Sequence, residues 1–391
     1  MRFTHLQRAH SFALVCLTLL SVSAGAQQKP TVTIDLKPLG AAADLFADPN
    51  DSRYQQRGII NLFWVGDDRL AVAFSANRRW TGSDKPQPLE IHLVVFNRSG
   101  KQLNERNWTI GAQGPAANNT LELLPGPDSS ILAIHETIAE GPGAPTIPEG
   151  NFVQVLNADT SLRQDFYIPS TSTYVPGVAT EPGLVLQTFF ADKHSSLRWW
   201  SGKPLKPTIK IELPKGREQV VAGTNIAAQP ICSTPSLCSG VRVFRSGAAP
   251  WTYNIPALEF QPFPRLFLSS TALVIELRGV VQKQSKFVVA NQDGTQVELL
   301  PLPKEQQVSG VSSVSTDGHR FAVDASQEVG LCGPLDFFCR ERGSALVYDI
   351  PANKIIFQQE VSANGAVSAI SPDGRNLAIF DRDKLSLYAL P

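Results

Sequence analysis

The sequence predicts an all-β protein built as seven four-stranded antiparallel sheets set around one axis. Three observations carry that reading. Short apolar runs alternate with Gly, Pro, Asn and Asp clusters along a chain that holds 28 Gly and 29 Pro. No stretch keeps a 3.6-residue apolar period over three turns, so helices should be few. The runs also recur in groups of four, which points to a repeat array rather than one sandwich.

The groups emerge when their third strands are aligned: "IHLVVFNRSGK", "NFVQVLNADTS", "SLRWWSGKP", "VRVFRSGAAP", "KFVVANQDGT", "SALVYDIPANK" and "KLSLYALP". Most of them break into a Gly, Asp or Asn turn. Second strands stand in front: "RLAVAFSA", "SILAIHET", "LVLQTFFA", "IAAQPIC", "ALVIELRG", "RFAVDAS" and "NLAIFD". Tight turns such as "VGDDR", "STDGH" and "SPDGR" precede those, after inner-strand segments such as "IINLFWV", "NTLELL", "RLFLS", "VSSVS" and "AVSAI". Fourth strands follow in six groups: "QLNERNWTI", "LRQDFYI", "TIKIEL", "WTYNI", "QVELLPL" and "KIIFQQEV".

The seventh group stops one strand short at Pro391, and one orphan strand, "TVTIDLKPL", begins at Thr31. An open sheet edge exposes unpaired backbone donors and acceptors. We therefore expect Thr31–Leu36 to pair with Leu385–Leu390 and close a seven-bladed β-propeller. Seven blades over residues 27–391 give about 52 residues each, slightly above common propeller repeats, so the excess should sit in loops. The fourth group is poorly marked, which leaves six or eight blades as rival counts.

Residues 1–26 read as a leader. Arg2 and Arg8 supply a positive start, "SFALVCLTLLSVS" an apolar stretch too short to span a bilayer, and Ala24–Ala26 a small-residue cleavage site. The expected product is one exported domain, residues 27–391, periplasmic or extracellular and with no later transmembrane run. With the two leader arginines gone, 33 basic side chains face 35 acidic ones. That balance argues against nucleic acid as the partner.

Four cysteines remain, Cys232, Cys238, Cys332 and Cys339. In an oxidising compartment they should pair, and the near neighbours Cys232–Cys238 and Cys332–Cys339 are the simplest of three connectivities. A zinc site would want tighter Cys spacing and nearby histidines.

"SPDGRNLAIF" and "STDGHRFAV" resemble the repeat signature of WD40-like and TolB-type bacterial propellers. The resemblance implies the propeller architecture for the whole mature chain, although the sharp motif covers only the last two groups. It implies that Asp317 and Asp373 cap the turns and that Gly318 and Gly374 take positive φ. The chain departs from typical WD40 repeats: "LVYDI" at Leu346–Ile350 is its nearest Trp-Asp match, and the regular Gly-His element is missing. No WD40 partner is implied.

The two faces of such a ring differ. Turns between first and second strands, and between third and fourth, are short. Loops between second and third strands are long: "NRRWTGSDKPQP", "IAEGPGAPTIPEG", "CSTPSLC" and "EVGLCGPLDFFCRERG". Function often resides on such loops, and disulfides would lower the entropy lost on binding. Candidate contacts on that face are Arg78, Arg79 and Trp80, suited to a carboxylate or a sugar ring. Asp192 and His194 lie in a short turn. Asp336, Phe337, Phe338, Arg340 and Arg342 surround the second cysteine loop, and Asp381, Arg382 and Asp383 form the last turn.

No H-E-x-x-H, G-x-S-x-G or phosphate-binding loop occurs. Of the four mature histidines, His92 and His135 belong to strands, and His319 follows a turn glycine on the plain face. The first reading is a monomeric binding or scaffold module for a protein or glycan ligand, without cofactor. The alternative is a hydrolase or lactonase with calcium held by carboxylates in the central channel, a site that leaves no local motif. Asn97, Asn107 and Asn118 begin glycan sequons, which matter only if the host glycosylates exported protein.

Overall fold

In a computed structural model the chain forms seven antiparallel sheets in chain order. The structure describes residues 28–41, 60–75, 89–110, 121–137, 150–169, 172–175, 184–189, 195–213, 221–222, 226–234, 237–245, 248–255, 265–268, 272–278, 285–291, 295–299, 302–303, 306–308, 313–329, 340–363 and 366–391. Blade 1 runs Ile60–Val65, Arg69–Ser75, Leu89–Asn97, Gln102–Ile110, and blade 2 runs Leu121–Gly126, Ser130–Thr137, Gly150–Leu156, Leu162–Pro169. Blade 3 is Ser172–Val175, Leu184–Phe189, Ser195–Ser201, Lys206–Leu213, and blade 4 is Val221–Ala222, Ile226–Thr234, Leu237–Arg245, Ala248–Asn254. Blade 5 is Arg265–Leu268, Ala272–Arg278, Ser285–Asn291, Gln296–Glu298. Blade 6 has Arg320–Val329, Arg340–Asp349 and Lys354–Val361 behind an inner strand split into Gln306–Val308 and Ser313–Val314. Blade 7 is Val367–Ile370, Asn376–Asp381 and Lys384–Ala389, completed by Val32–Asp35.

The closing strand pairs as the sequence predicts, Val32 opposite Leu387 and Asp35 opposite Lys384. Thr31 N–H adds a bond to Leu387 O at 2.7 Å, and Leu36 N–H one to Asp383 O at 2.8 Å. Leu36 itself is fully buried among Leu385, Phe380 and Phe74, so the strand is anchored by packing as well as by its ladder.

Both faces of a blade are covered by neighbours, which explains why the second strands read as unbroken apolar runs. In blade 1, Leu70, Val72 and Phe74 pack towards blade 7, with Leu385 and Leu387, while Ala71 and Ala73 pack towards blade 2, with Leu123 and Ile131. Similar clusters fill the gaps between blades 4 and 5, 5 and 6, and 6 and 7. Inner strands present one edge to the channel, and side chains of neighbouring blades cap it. Trp64 Nε1 donates to Ala369 O at 3.0 Å, Ile370 N–H to Ser313 Oγ at 3.0 Å, and Asn61 Nδ2 to Leu123 O.

The two Ser-x-Asp-Gly turns are built alike. Ser315 and Ser371 donate their hydroxyls to Asp317 Oδ1 and Asp373 Oδ1, at 2.5 and 2.6 Å. Each aspartate also accepts the N–H two residues on, from His319 and Arg375. Each serine Oγ accepts the first N–H of the second strand, from Arg320 and Asn376. Gly318 and Gly374 sit at φ 71° and 68°, where a side chain would be strained.

Three details differ from the sequence expectation. The inner strands of blades 3 and 4 are short and carry no clear apolar pattern of their own. The fourth strand of blade 5 stops at Glu298. Among the described residues, Ser313 and Val314 of the segment "VSSVS" form a strand, and Gln306–Val308 also pairs with the second strand of that blade.

Candidate functional site

Arg78, Arg79, Trp80, Asp192, His194, Asp336, Phe337, Phe338, Cys332 and Cys339 lie outside the described residues. Arg340 opens the third strand of blade 6, and nothing is described of its side chain. Arg342 is exposed on the same strand, 3.9 Å from Glu360. In the last turn, Arg382 is exposed at φ 61°. Its neighbours hold the fold: Asp381 Oδ2 accepts Ser362 N–H at 3.1 Å, and Asp383, buried, pairs with Lys37 at 3.0 Å.

Among the described residues, two hairpins stand out on the long-loop face. Second strands run six to eight residues in blades 1, 2, 3, 5 and 7, but nine in blade 4 and ten in blade 6. Pairing continues to Thr234 opposite Leu237, and to Val329 opposite Arg340. Three extra residue pairs lengthen a hairpin by roughly 10 Å. The blade 4 hairpin is closed by Cys232–Cys238, the first of the two expected disulfides. In each hairpin a glycine on the third strand allows a close backbone approach: a Cβ at Gly240 would meet Tyr253 O of the fourth strand at 2.5 Å, and one at Gly343 would meet Ser362 O, just past the fourth strand, at 2.6 Å.

The inner two strands hold acids that inspection of local motifs missed. Glu122 lies on the inner strand of blade 2 and, opposite Ile134, faces blade 3; burial pushes its carboxyl up from the ordinary value. Glu276, in the second strand of blade 5, accepts the Ser285 hydroxyl at 2.8 Å. Asp324, in the second strand of blade 6, is 3% exposed. Their one sequence signal is a lone carboxylate inside an apolar run ("LEL", "VIEL", "AVDA"). Glu122 and Asp324 face different inter-blade gaps, and among the described residues no three His, Cys, Asp or Glu side chains come together.

Asp324 sits where the inner strand of blade 6 is interrupted, between the residues paired with Val308 and Ser313. Its Oδ2 accepts Ser368 N–H of blade 7 at 3.1 Å, and Oδ1 has no hydrogen-bond partner. Burial raises its pKa to about 7, and Ser368 offsets that only in part.

The described histidines, His92, His135 and His319, fall where the sequence places them. His92 Nδ1 lies 3.5 Å from Glu105 and its ring 5.7 Å from Phe74. His135 packs near Phe152 and contacts Gln154 at 3.4 Å, and burial lowers its pKa. His319 is exposed beside Asp317.

Fold and topology define a seven-bladed β-propeller whose last blade is completed by the strand Val32–Asp35. The chain is similar to the β-propeller domain of the Trilobed protease from Pyrococcus furiosus, at 8% identity over 85% of this chain and 95% of that one, TM-score 0.50. It is also similar to the WD40 domain of SCAP from fission yeast, at 10% identity over 88% and 98%, TM-score 0.39. A third likeness is to oligogalacturonate lyase from Vibrio parahaemolyticus, at 9% identity over 85% and 96%, TM-score 0.45. At such identities the likeness is one of fold. No protein-family model matches the chain, and no curated protein matches its sequence.

Proposed function

We propose that the mature chain is an exported binding or scaffold module that engages a protein or glycan ligand through its long-loop face. The observation that supports this is the pair of lengthened hairpins in blades 4 and 6, one of them disulfide-closed. Loops that merely drift in length need not carry strand pairing outward, whereas paired strands hold a surface in fixed shape and reduce the entropy lost on association. On this reading Arg78, Arg79, Trp80, Asp192, His194, Asp336, Phe337, Phe338, Arg340, Arg342, Asp381 and Arg382 furnish the contact rim. The protein works as a monomer without a cofactor. Among the described residues no helix is long and apolar enough to cross a membrane.

Residues 27–391, a Cys232→Ser variant and an Arg375→Ala variant on the opposite face should be compared on glycan arrays and in cross-linking pull-downs. The reading expects Cys232→Ser, or reduction, to weaken binding about tenfold, or 1.4 kcal/mol, and Arg375→Ala to leave it unchanged. The reverse pattern would move the site to the short-turn face. Stoichiometric calcium in the purified protein, together with lactone hydrolysis, would replace this reading with the channel-hydrolase alternative.

A further inference from the structure

We infer that Asp324 is a proton-operated latch between blades 6 and 7. With its carboxyl neutral, it holds the inner strand of blade 7 against blade 6. Once ionised, it draws water into the gap and loosens that strand.

The geometry supplies each part. Asp324 reaches across the gap to a backbone N–H, Ser368, on the strand Val367–Ile370. Among the described residues, the other side-chain cap that blade 6 gives this edge is Ser313 Oγ. The carboxyl is 3% exposed, its second oxygen is unpartnered, and blade 6's own inner strand is interrupted beside it. A buried anion with so few donors is costly, and hydration is the relief open to it. The carboxyl's pKa of about 7 agrees with this.

Among the described residues no opposite charge compensates it. By strand register, the charged groups on the same side of blade 6 are Arg320 and Glu328 on its own strand, Glu341 and Asp349 on the third, and Lys354 on the fourth. Arg320 lies four residues away, roughly 13 Å along the strand, and donates to Gly374 O and Pro391 O. Glu328, Glu341 and Lys354 are exposed. Val367–Ile370 contributes no ionisable group. From blade 7, by the same register, come Asp381, the exposed Lys384 and Asp35, and Tyr388.

The sign follows from linkage. A carboxyl whose pKa is raised in the closed state favours that state fully below its ordinary value near 4, and the advantage is lost as pH rises to about 7. Hydrogen exchange should therefore show opening of the segment 366–370 rising up to about tenfold per pH unit between pH 5 and 7, beyond the intrinsic exchange rate, and levelling off above 7. The inner strand of blade 1, Ile60–Val65, serves as the internal reference and should follow the intrinsic rate. Asp324→Asn should make 366–370 behave like the reference. Should that variant not fold, the wild-type infrared band of a buried protonated carboxyl, present at pH 5.5 and absent at pH 8.5, carries the test. Exchange at 366–370 that follows the intrinsic rate throughout, or the lack of that band at pH 5.5, overturns the latch.

Discussion

At the scale of the residue, the Ser371–Gly374 turn of blade 7 shows how one carboxylate serves several ends. Burial pushes Asp373 up, but hydrogen bonds from Ser371 and Arg98 and the Arg375 N–H reverse this and hold it below its usual value. Arg98 bridges blades 1 and 7: it pairs with Asp373 at 2.6 Å, donates to Asp67 O at 2.7 Å and lies 6.0 Å from the Trp64 ring centroid. Asp373→Asn keeps an acceptor for the turn and loses only the ion pair, so it should cost about 0.5–1 kcal/mol. Asp373→Ala loses the turn bonds as well and should cost about 2 kcal/mol. Because the folded pKa is lowered, this stability is present above about pH 4 and fades as pH falls through the folded value. Denaturant titrations at pH 7 and pH 3 should show the wild-type advantage over Asp373→Asn shrinking at the lower pH.

The turns were legible at this scale because Ser, Asp and Gly at fixed offsets specify one hydrogen-bond pattern. Asp324 was not. Its neighbours Val323 and Ala325 fit any buried strand, and only the packing of blade 7 against blade 6 reveals that its carboxyl meets a backbone N–H.

At the scale of the element, two strands make distinct predictions. Leu36→Ala leaves a cavity at the end of the closing strand, where the side chain is fully buried, and should lower stability by about 2–4 kcal/mol in urea melts. The blade 4 hairpin depends on Cys232–Cys238 across a six-residue separation. Reduction should cost about 2 kcal/mol on the chain-entropy model, read as a lower melting midpoint with reductant. Most strand limits could be read from the sequence, and those of Ser130–Thr137, Lys354–Val361 and Asn376–Asp381 coincide with their apolar runs. The long hairpins of blades 4 and 6 could not be measured, because their outer pairs, such as Glu328 with Glu341, have no apolar pattern.

At the scale of the whole molecule, the ring is held by contacts between its ends. Val32–Asp35 supplies four residue pairs to the last blade and is followed by the buried Leu36. A chain starting at Lys37 would expose the edge of Lys384–Ala389. It should unfold less cooperatively and self-associate, measured by calorimetry and light scattering against the intact domain. Retention of one sharp monomeric transition would show that closure is dispensable.

While the count of seven waited on the structure, because the fourth group is poorly marked, the sequence by itself determined the all-β class, the grouping of strands by four and the pairing of the two ends. Those follow from local alternation, turn chemistry and one unmatched strand, all properties of short stretches. Only the tertiary structure decided which polar groups meet across the gaps between blades, how far two hairpins stand out, and that Asp383 braces the closure while Asp381 holds Ser362. Such facts depend on the register of one sheet against the next, and side chains hundreds of residues apart in sequence meet only when that register is set.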